Sequence, residues 1–118
     1  MKHHNANRKF GRPRNQRKAL MRSLLFSLVE HGKIETTEAK AKELRPQVEK
    51  IITRCKIDSL ANRRHVESLF ANNQKGIISK LFTELGPRYK ERSGGYTRIT
   101  KLTRYADDAR SSAYIEFV

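Results

Sequence analysis

The fold is decided by residues 20–57, which read LMRSLLFSLVEHGKIETTEAKAKELRPQVEKIITRCKI. In residues 20–29, apolar side chains recur one and three positions apart, and this spacing keeps them on one stripe of a helix. Gly32 supplies a stop signal just after that stripe. We therefore predict a first helix over about residues 15–31, followed by a short extended piece at 33–35.

The second half of the same stretch predicts another helix, which runs to about Ile57. Thr36 and Thr37 offer an N-cap for it, and its apolar positions fill about a third of the helical wheel. These positions are Ala41, Leu44, Val48, Ile51, Ile52 and Cys55. Pro46 lies inside the pattern and is expected to kink or split the helix there.

Two more helices are expected further along the chain. Asp58 and Ser59 are start signals for a third helix, which the Asn pair at 72–73 breaks. A fourth helix follows over residues 77–85 with the same stepping of apolar residues, and the Gly-Pro pair at 86–87 is expected to end it.

The remaining residues predict two strands. Residues 96–102 are rich in Tyr, Thr and Ile and read as a strand, and residues 103–111 read as a loop. Residues 112–118 alternate, with Ala113, Ile115 and Phe117 on one face. Helices followed by strands indicate an α+β fold of two layers, in the order helix, strand, three helices and two strands, with a small mixed sheet.

Composition limits what such a chain can do. Its 118 residues are 36% hydrophobic, which suffices for one domain with a thin core. Lys and Arg number 26 against 12 Asp and Glu, which gives a formal net charge of +14. Because self-repulsion of this size destabilises a compact monomer, we expect an anionic partner that neutralises it.

The positive charge is concentrated in two parts of the sequence. Residues 1–29 contain no acidic residue but hold Lys2, Arg8, Lys9, Arg12, Arg14, Arg17, Lys18 and Arg22. A second group, opposed only by Glu91, comprises Arg88, Lys90, Arg92, Arg98, Lys101 and Arg104. Residues 1–13 lack a hydrophobic period, so we expect an extended basic arm there and a single domain over 14–118. A solvated tail and a mitochondrial targeting segment are the alternatives for the arm, and phosphate binding is favoured.

Catalytic and metal-binding chemistry is not indicated. The four His residues have no metal-ligand spacing with Cys55, which falls on the apolar stripe of the second helix and reads as a small buried hydrophobe. We therefore expect no catalytic residue, metal, cofactor or small-molecule substrate. A single Cys fits a reducing compartment such as the cytoplasm, and no apolar run is long enough for a membrane span.

Nucleic acid is the expected anionic partner. In residues 88–105, basic side chains are interleaved with tyrosines, so that Lys or Arg could hold phosphates while a Tyr stacks on an unpaired base. Tyr96 is equally consistent with a strand residue in the core, and both interpretations stay open. The familiar DNA-binding motifs are missing, which favours a folded RNA. A free nucleoid-type DNA-binding protein is the alternative, and a nucleic-acid-processing enzyme would need clustered carboxylates that are not seen.

Several segments together resemble a known family. Residues 14–56, together with LFTELGPRY at 81–89, GGYTRITKL at 94–102 and SAYIEFV at 112–118, are similar to the bacterial large-subunit ribosomal protein family numbered seventeen. The resemblance covers almost the whole chain in the family's order.

The resemblance implies a structural protein of the large ribosomal subunit, located in the cytoplasm on the ribosome. It implies that the chain binds the large-subunit (23S) ribosomal RNA and has other ribosomal proteins as neighbours near the polypeptide exit side. It carries RNA contact onto Arg8, Lys9, Arg12, Arg14, Arg17, Lys18, Arg22, Tyr96, Arg98 and Lys101. With Lys2, Arg88, Lys90, Arg92 and Arg104 from the charge pattern, these form the predicted RNA-binding set.

Overall fold

The structure is a computed structural model that describes residues 8–70, 75–105 and 111–118, apart from the side chains at 75 and 103–105. Its elements are α1 (Arg14–His31), β1 (Lys33–Thr37), α2 (Glu38–Cys55), α3 (Leu60–Phe70), α4 (Lys75–Lys80), a π-helical turn (Leu81–Leu85), α5 (Gly86–Arg88), β2 (Thr97–Tyr105) and β3 (Ser111–Phe117). The α+β class and the expected order of elements are confirmed.

Local capping signals in the sequence act as predicted. Gly32 ends α1 in the left-handed region, with φ of 79°, and its N–H donates to the carbonyl oxygen of Leu28 at 2.7 Å. Thr37 caps α2, because its hydroxyl accepts from the backbone N–H of Lys40 at 3.3 Å. These two caps set where the chain leaves one helix and enters the next, and β1 fills the gap between them.

Pro46 does not split α2, which is continuous from Glu38 to Cys55. A proline inside a helix costs about 3 kcal/mol, but Leu44 and Val48 on either side of it are fully buried. Burying each of these side chains contributes about 1.5–3 kcal/mol. Packing of the apolar stripe therefore outweighs the local penalty.

The Gly-Pro pair at 86–87 does not end the last helix either. The chain passes from α4 through the π-helical turn into α5, where Gly86 has a right-handed φ of −57°. Pro87 lies in the first turn of α5, where no N–H donor is needed. The Gly-Pro pair therefore continues the helical path instead of ending it. The Asn pair expected to break α3 lies outside the described residues.

The sheet has the strand order β1-β3-β2, and both pairings are antiparallel, so the expectation of a mixed sheet was wrong. Ile115 in the central strand lies opposite Ile34 on one side and Ile99 on the other. β2 extends to Tyr105, into the segment expected to be a loop, with a register irregularity after Lys101. The rest of that loop, residues 106–110, lies outside the described residues.

The core lies between the helices and one face of the sheet. Ala113, Ile115 and Phe117 are buried as the alternation predicts, and α2 packs against this face. The buried stripe of α2 contains the six apolar residues expected from the sequence. The sheet is thus one layer and the helices the other, and α1 and α2 lie next to each other in the helical layer.

Candidate nucleic-acid interface

A groove runs between α1 and α2, and we call it the α1–α2 groove. Its volume is about 1130 Å³, and residues 8–10 line it together with one face of each helix. Two residues of α3, His65 and Leu69, also contribute to its lining. This volume is slightly larger than the usual range for small-molecule sites, about 300–1000 Å³, so the groove has room for a polymer segment.

Cationic side chains dominate the lining of the groove. Those from residues 8–22 belong to the predicted RNA-binding set, and α2 adds two more. They are Arg8, Lys9, Arg14, Arg17, Lys18, Arg22, Lys50 and Arg54. The α1 members are three or four residues apart, which places them on one side of the helix. Lys50 and Arg54 are four residues apart and line the groove from α2 in the same way.

The two carboxylates of the lining are already engaged by other groups. Glu43 pairs with Arg8 at 3.3 Å. Glu49 accepts from the backbone N–H of Tyr96 at 3.2 Å and from the hydroxyl of Thr97 at 3.5 Å. Among the described residues, the other seven cations of the groove form no ion pair. Their charge is therefore available to an anionic ligand.

Residues 8–12 fold into a turn at the groove, whereas the sequence indicated an extended arm. Phe10 and Gly11 both have positive φ, 54° and 63°, and the N–H of Arg12 donates to the carbonyl oxygen of Lys9 at 3.1 Å. This combination is typical of a type I′ turn. The guanidinium of Arg12 also donates to the carbonyl oxygen of Phe10 at 3.0 Å, and the Phe10 side chain packs against the core.

The Tyr96 ring is buried, which answers the question left open by the sequence. Its exposed fraction is 1%, and its ring centroid lies 5.2 Å from that of Tyr89. Its hydroxyl lies 3.2 Å from that of Thr53, and the Lys56 ammonium is 4.6 Å from the ring centroid. The core therefore covers the ring face on which a base would stack, and RNA contact by Tyr96 stays a prediction.

The described cations of the later group lie outside the α1–α2 groove, and most of them have partners within the protein. Arg88 donates to the carbonyl oxygen of Val118 at 2.7 Å, and Arg92 to that of Gly94 at 3.3 Å. Arg98 pairs with Glu116 at 3.9 Å and Lys101 with Glu38 at 3.3 Å, whereas Lys90 is exposed. The side chain of Arg104 and the whole of Lys2 lie outside the described residues.

Lys50 and Arg54 were missed by the sequence reasoning. Acidic and basic residues nearly balance in this part of the sequence. A count of charges along the chain therefore does not reveal that these two cations share one face of a helix. Their spacing of four residues, next to the buried Ile51, is the signal that could have found them. Which neighbouring helix that face meets depends on tertiary packing.

The described residues give little support to a reactive thiol, a metal site or a membrane span. Burial raises the pKa of the Cys55 thiol to about 12, so the thiol is protonated near neutral pH. In the described ranges no three His, Cys, Asp or Glu residues are grouped so that they could hold a metal ion. No helix within these ranges is long and apolar enough to cross a membrane.

Comparison with known proteins identifies the relatives of this chain. The family described as Ribosomal protein L17 matches residues 20–118. The large ribosomal subunit protein bL17 of Persephonella marina (strain DSM 14350 / EX-H1) is 51% identical over 120 residues, which cover 100% of this chain and 95% of the relative. The family match covers α1 from residue 20 onward, all of α2 and the sheet, and the match to the relative covers the whole chain. The chain therefore belongs to the ribosomal protein L17 family of the large ribosomal subunit.

Proposed function

We propose that this protein is a structural constituent of the large ribosomal subunit that binds 23S ribosomal RNA in the α1–α2 groove. The observation that carries the proposal is the set of seven cations in that groove that have no carboxylate partner among the described residues. Family membership supports the ribosomal setting. The proposed location is therefore the ribosome in the cytoplasm.

The groove provides two cationic walls for the RNA backbone. Arg14 and Lys18 lie on α1, and Lys50 and Arg54 lie on α2. RNA phosphates could contact both walls. At each contact a protein cation replaces the counterions condensed on the phosphate, and the release of these counterions drives binding. A protein that neutralises two backbone segments at once can hold them close together, which fits a role in RNA folding and subunit assembly.

The later cations form a second, weaker contact in this proposal. Because Arg98 and Lys101 already pair with carboxylates, an RNA phosphate must compete with Glu116 and Glu38 for them. Lys90 is exposed and forms no ion pair with any carboxylate that the structure describes. Neighbouring large-subunit proteins near the polypeptide exit side are the proposed protein partners, and the proposed role includes no catalysis, membrane or small-molecule substrate.

Binding of 23S ribosomal RNA at several salt concentrations tests the groove directly. The double substitution Lys50→Gln and Arg54→Gln removes two groove cations. It should reduce the magnitude of the slope of log K against log salt by about 1.4–1.8, at about 0.7–0.9 for each lost phosphate contact. The control is Lys33→Gln with Lys42→Gln, which removes the same charge outside the groove, where Lys33 covers Tyr114 and Lys42 pairs with Glu38.

Comparison of the two doubly substituted proteins distinguishes the effect of the groove cations from the effect of net charge alone. Equal slopes for both would contradict a groove-based site. Equal affinity of the unsubstituted protein for duplex DNA and for 23S RNA would favour the nucleoid alternative. In cell extract, we expect the protein to sediment stoichiometrically with the large subunit, and its absence from that fraction would overturn the ribosomal role.

A further inference from the structure

We infer that Phe10 is the residue on which an unpaired RNA base stacks in the α1–α2 groove. This inference rests on the proposed function and adds that the groove takes single-stranded RNA rather than duplex RNA. Among the described Phe and Tyr side chains, only those of Phe10 and Tyr96 line the groove, and Tyr96 is 1% exposed. Phe10 is only half-buried, and it lines the groove.

The backbone at Phe10 is strained in a way that fixes the position of the ring. Among the described residues, Phe10 is the one non-glycine residue with positive φ. A bulky side chain in this region costs on the order of 1–3 kcal/mol, and such strain persists where the surroundings over-determine the conformation. Here the Lys9–Arg12 hydrogen bond and the Arg12 guanidinium on the Phe10 carbonyl hold the turn.

The turn is also tied to the second wall of the groove. Arg8 precedes it and pairs with Glu43 on α2 at 3.3 Å. Arg14 and Arg17 follow it on α1, and both line the groove with Phe10. Phe10 therefore shares the groove with Arg14 and Arg17, which form no ion pair among the described residues. A residue that stacks on a base needs such cations nearby, because the phosphates of the bound strand accompany the base.

The remaining lining of the groove favours an unpaired strand. Met21, Leu25 and Ile51 form an apolar floor below the cationic walls. Duplex RNA presents phosphates and sugars on its outside, with its bases stacked within, so it could use the walls but not the floor or the ring. A single strand presents both phosphates and base faces, and it therefore matches all three features.

The first experiment compares Phe10→Ala and Phe10→Leu with the unsubstituted protein. The probes are a single-stranded oligoadenylate of roughly 12 nucleotides, within the usual site sizes, and the same strand annealed to its complement. Losing a stacked base should weaken single-strand binding by about 5- to 150-fold in the Ala protein, the equivalent of about 1–3 kcal/mol. Phe10→Leu keeps an apolar side chain for packing but has no aromatic face, so it should bind almost as weakly.

The salt dependence distinguishes stacking from a purely structural role. Loss of stacking leaves the number of phosphate contacts unchanged, so the slope of log K against log salt should stay the same. If Phe10 only positions Lys9 and Arg12, both substitutions should instead reduce that slope, and this result would overturn the inference. Circular dichroism of each protein checks that the helices are intact.

A second experiment uses the absence of tryptophan from this chain. Phe10→Trp introduces a single indole at the turn, and a stacked adenine should quench its fluorescence in the single-strand complex but not in the duplex complex. The control is Tyr114→Trp, where the indole lies next to Lys33 in the sheet and away from the groove. Equal quenching at both positions would refute stacking at Phe10.

The outcomes also separate this inference from the proposed function. If the Phe10 variants bind single strands as the unsubstituted protein does, while the Lys50 and Arg54 substitutions reduce the salt slope on 23S RNA, stacking is refuted and the groove remains the RNA site. If 23S RNA is not bound but the oligoadenylate is bound and quenches the indole fluorescence of the Phe10→Trp protein, the ribosomal role fails and the stacking site stands.

Discussion

Gly86 allows the last helix to pack closely against the end of α2, and Gly86→Ala should destabilise the protein. A Cβ at this position would lie 2.9 Å from the carbonyl carbon of Cys55 and 3.3 Å from the carbonyl oxygen of Leu81. The contact with the Cys55 carbonyl carbon is shorter than the optimal separation of about 3.5–4.0 Å between carbon atoms, and the carbonyl oxygen of Cys55 would lie closer still. Since they involve backbone atoms, no side-chain rotation can relieve them.

The size of the effect follows from two opposing contributions. Overpacking costs about 1–3 kcal/mol, and a clash with backbone belongs at the upper end of this range. Replacing a helical glycine by alanine returns up to about 1 kcal/mol. We therefore expect Gly86→Ala to lower the free energy of unfolding by about 2 kcal/mol, which corresponds to roughly 6–12 °C in Tm for a chain of this length.

The matched control is the same substitution at Gly76 in α4. Within the part of the chain that the structure describes, a Cβ there meets no atom within 4 Å, and φ is not positive. Gly76→Ala should therefore raise the stability by up to about 1 kcal/mol through helix propensity alone. Thermal unfolding followed by circular dichroism measures both. If Gly86→Ala melts at or above the temperature of the unsubstituted protein, the close approach of Gly86 to Cys55 does not limit the residue at this position.

Two further predictions concern titratable groups. Hydrogen bonds from Lys42 and Lys101 lower the pKa of the Glu38 carboxyl, so its contribution to stability is present above the unfolded-state pKa and is lost as pH falls through the lower folded-state pKa. Lys101→Gln should raise the pKa of Glu38 in an NMR titration, and an unchanged pKa would contradict the contact. Because burial raises the pKa of Cys55 to about 12, a thiol reagent at pH 8 should modify it only after denaturant is added, and immediate modification of the native protein would show that the thiol is accessible.

Features governed by neighbours in the chain could be predicted from the sequence. The left-handed stop at Gly32 and the cap at Thr37 each depend on contacts within four residues. The alternation of residues 112–118 placed the correct side chains in the core because a strand buries every second residue.

Features governed by tertiary packing could not be predicted in this way. Pro46 and Gly86 carry strong local signals for helix ends, but burial of the residues around them overrides these signals. Tyr96 has the residue type of a stacking group, and only its environment shows that the ring is covered. Lys50 joins the groove because α2 packs beside α1, and nothing in the residues around Lys50 encodes that arrangement.

The strand order β1-β3-β2 has a consequence for biosynthesis. Both edge strands are translated before the strand that they pair with, and β1 precedes β3 by more than half of the chain. Until β3 has been translated, neither edge strand has its native hydrogen-bonding partner, so the sheet cannot form before then. Sheet formation is therefore a late event in which a single segment joins two distant parts of the nascent chain at once.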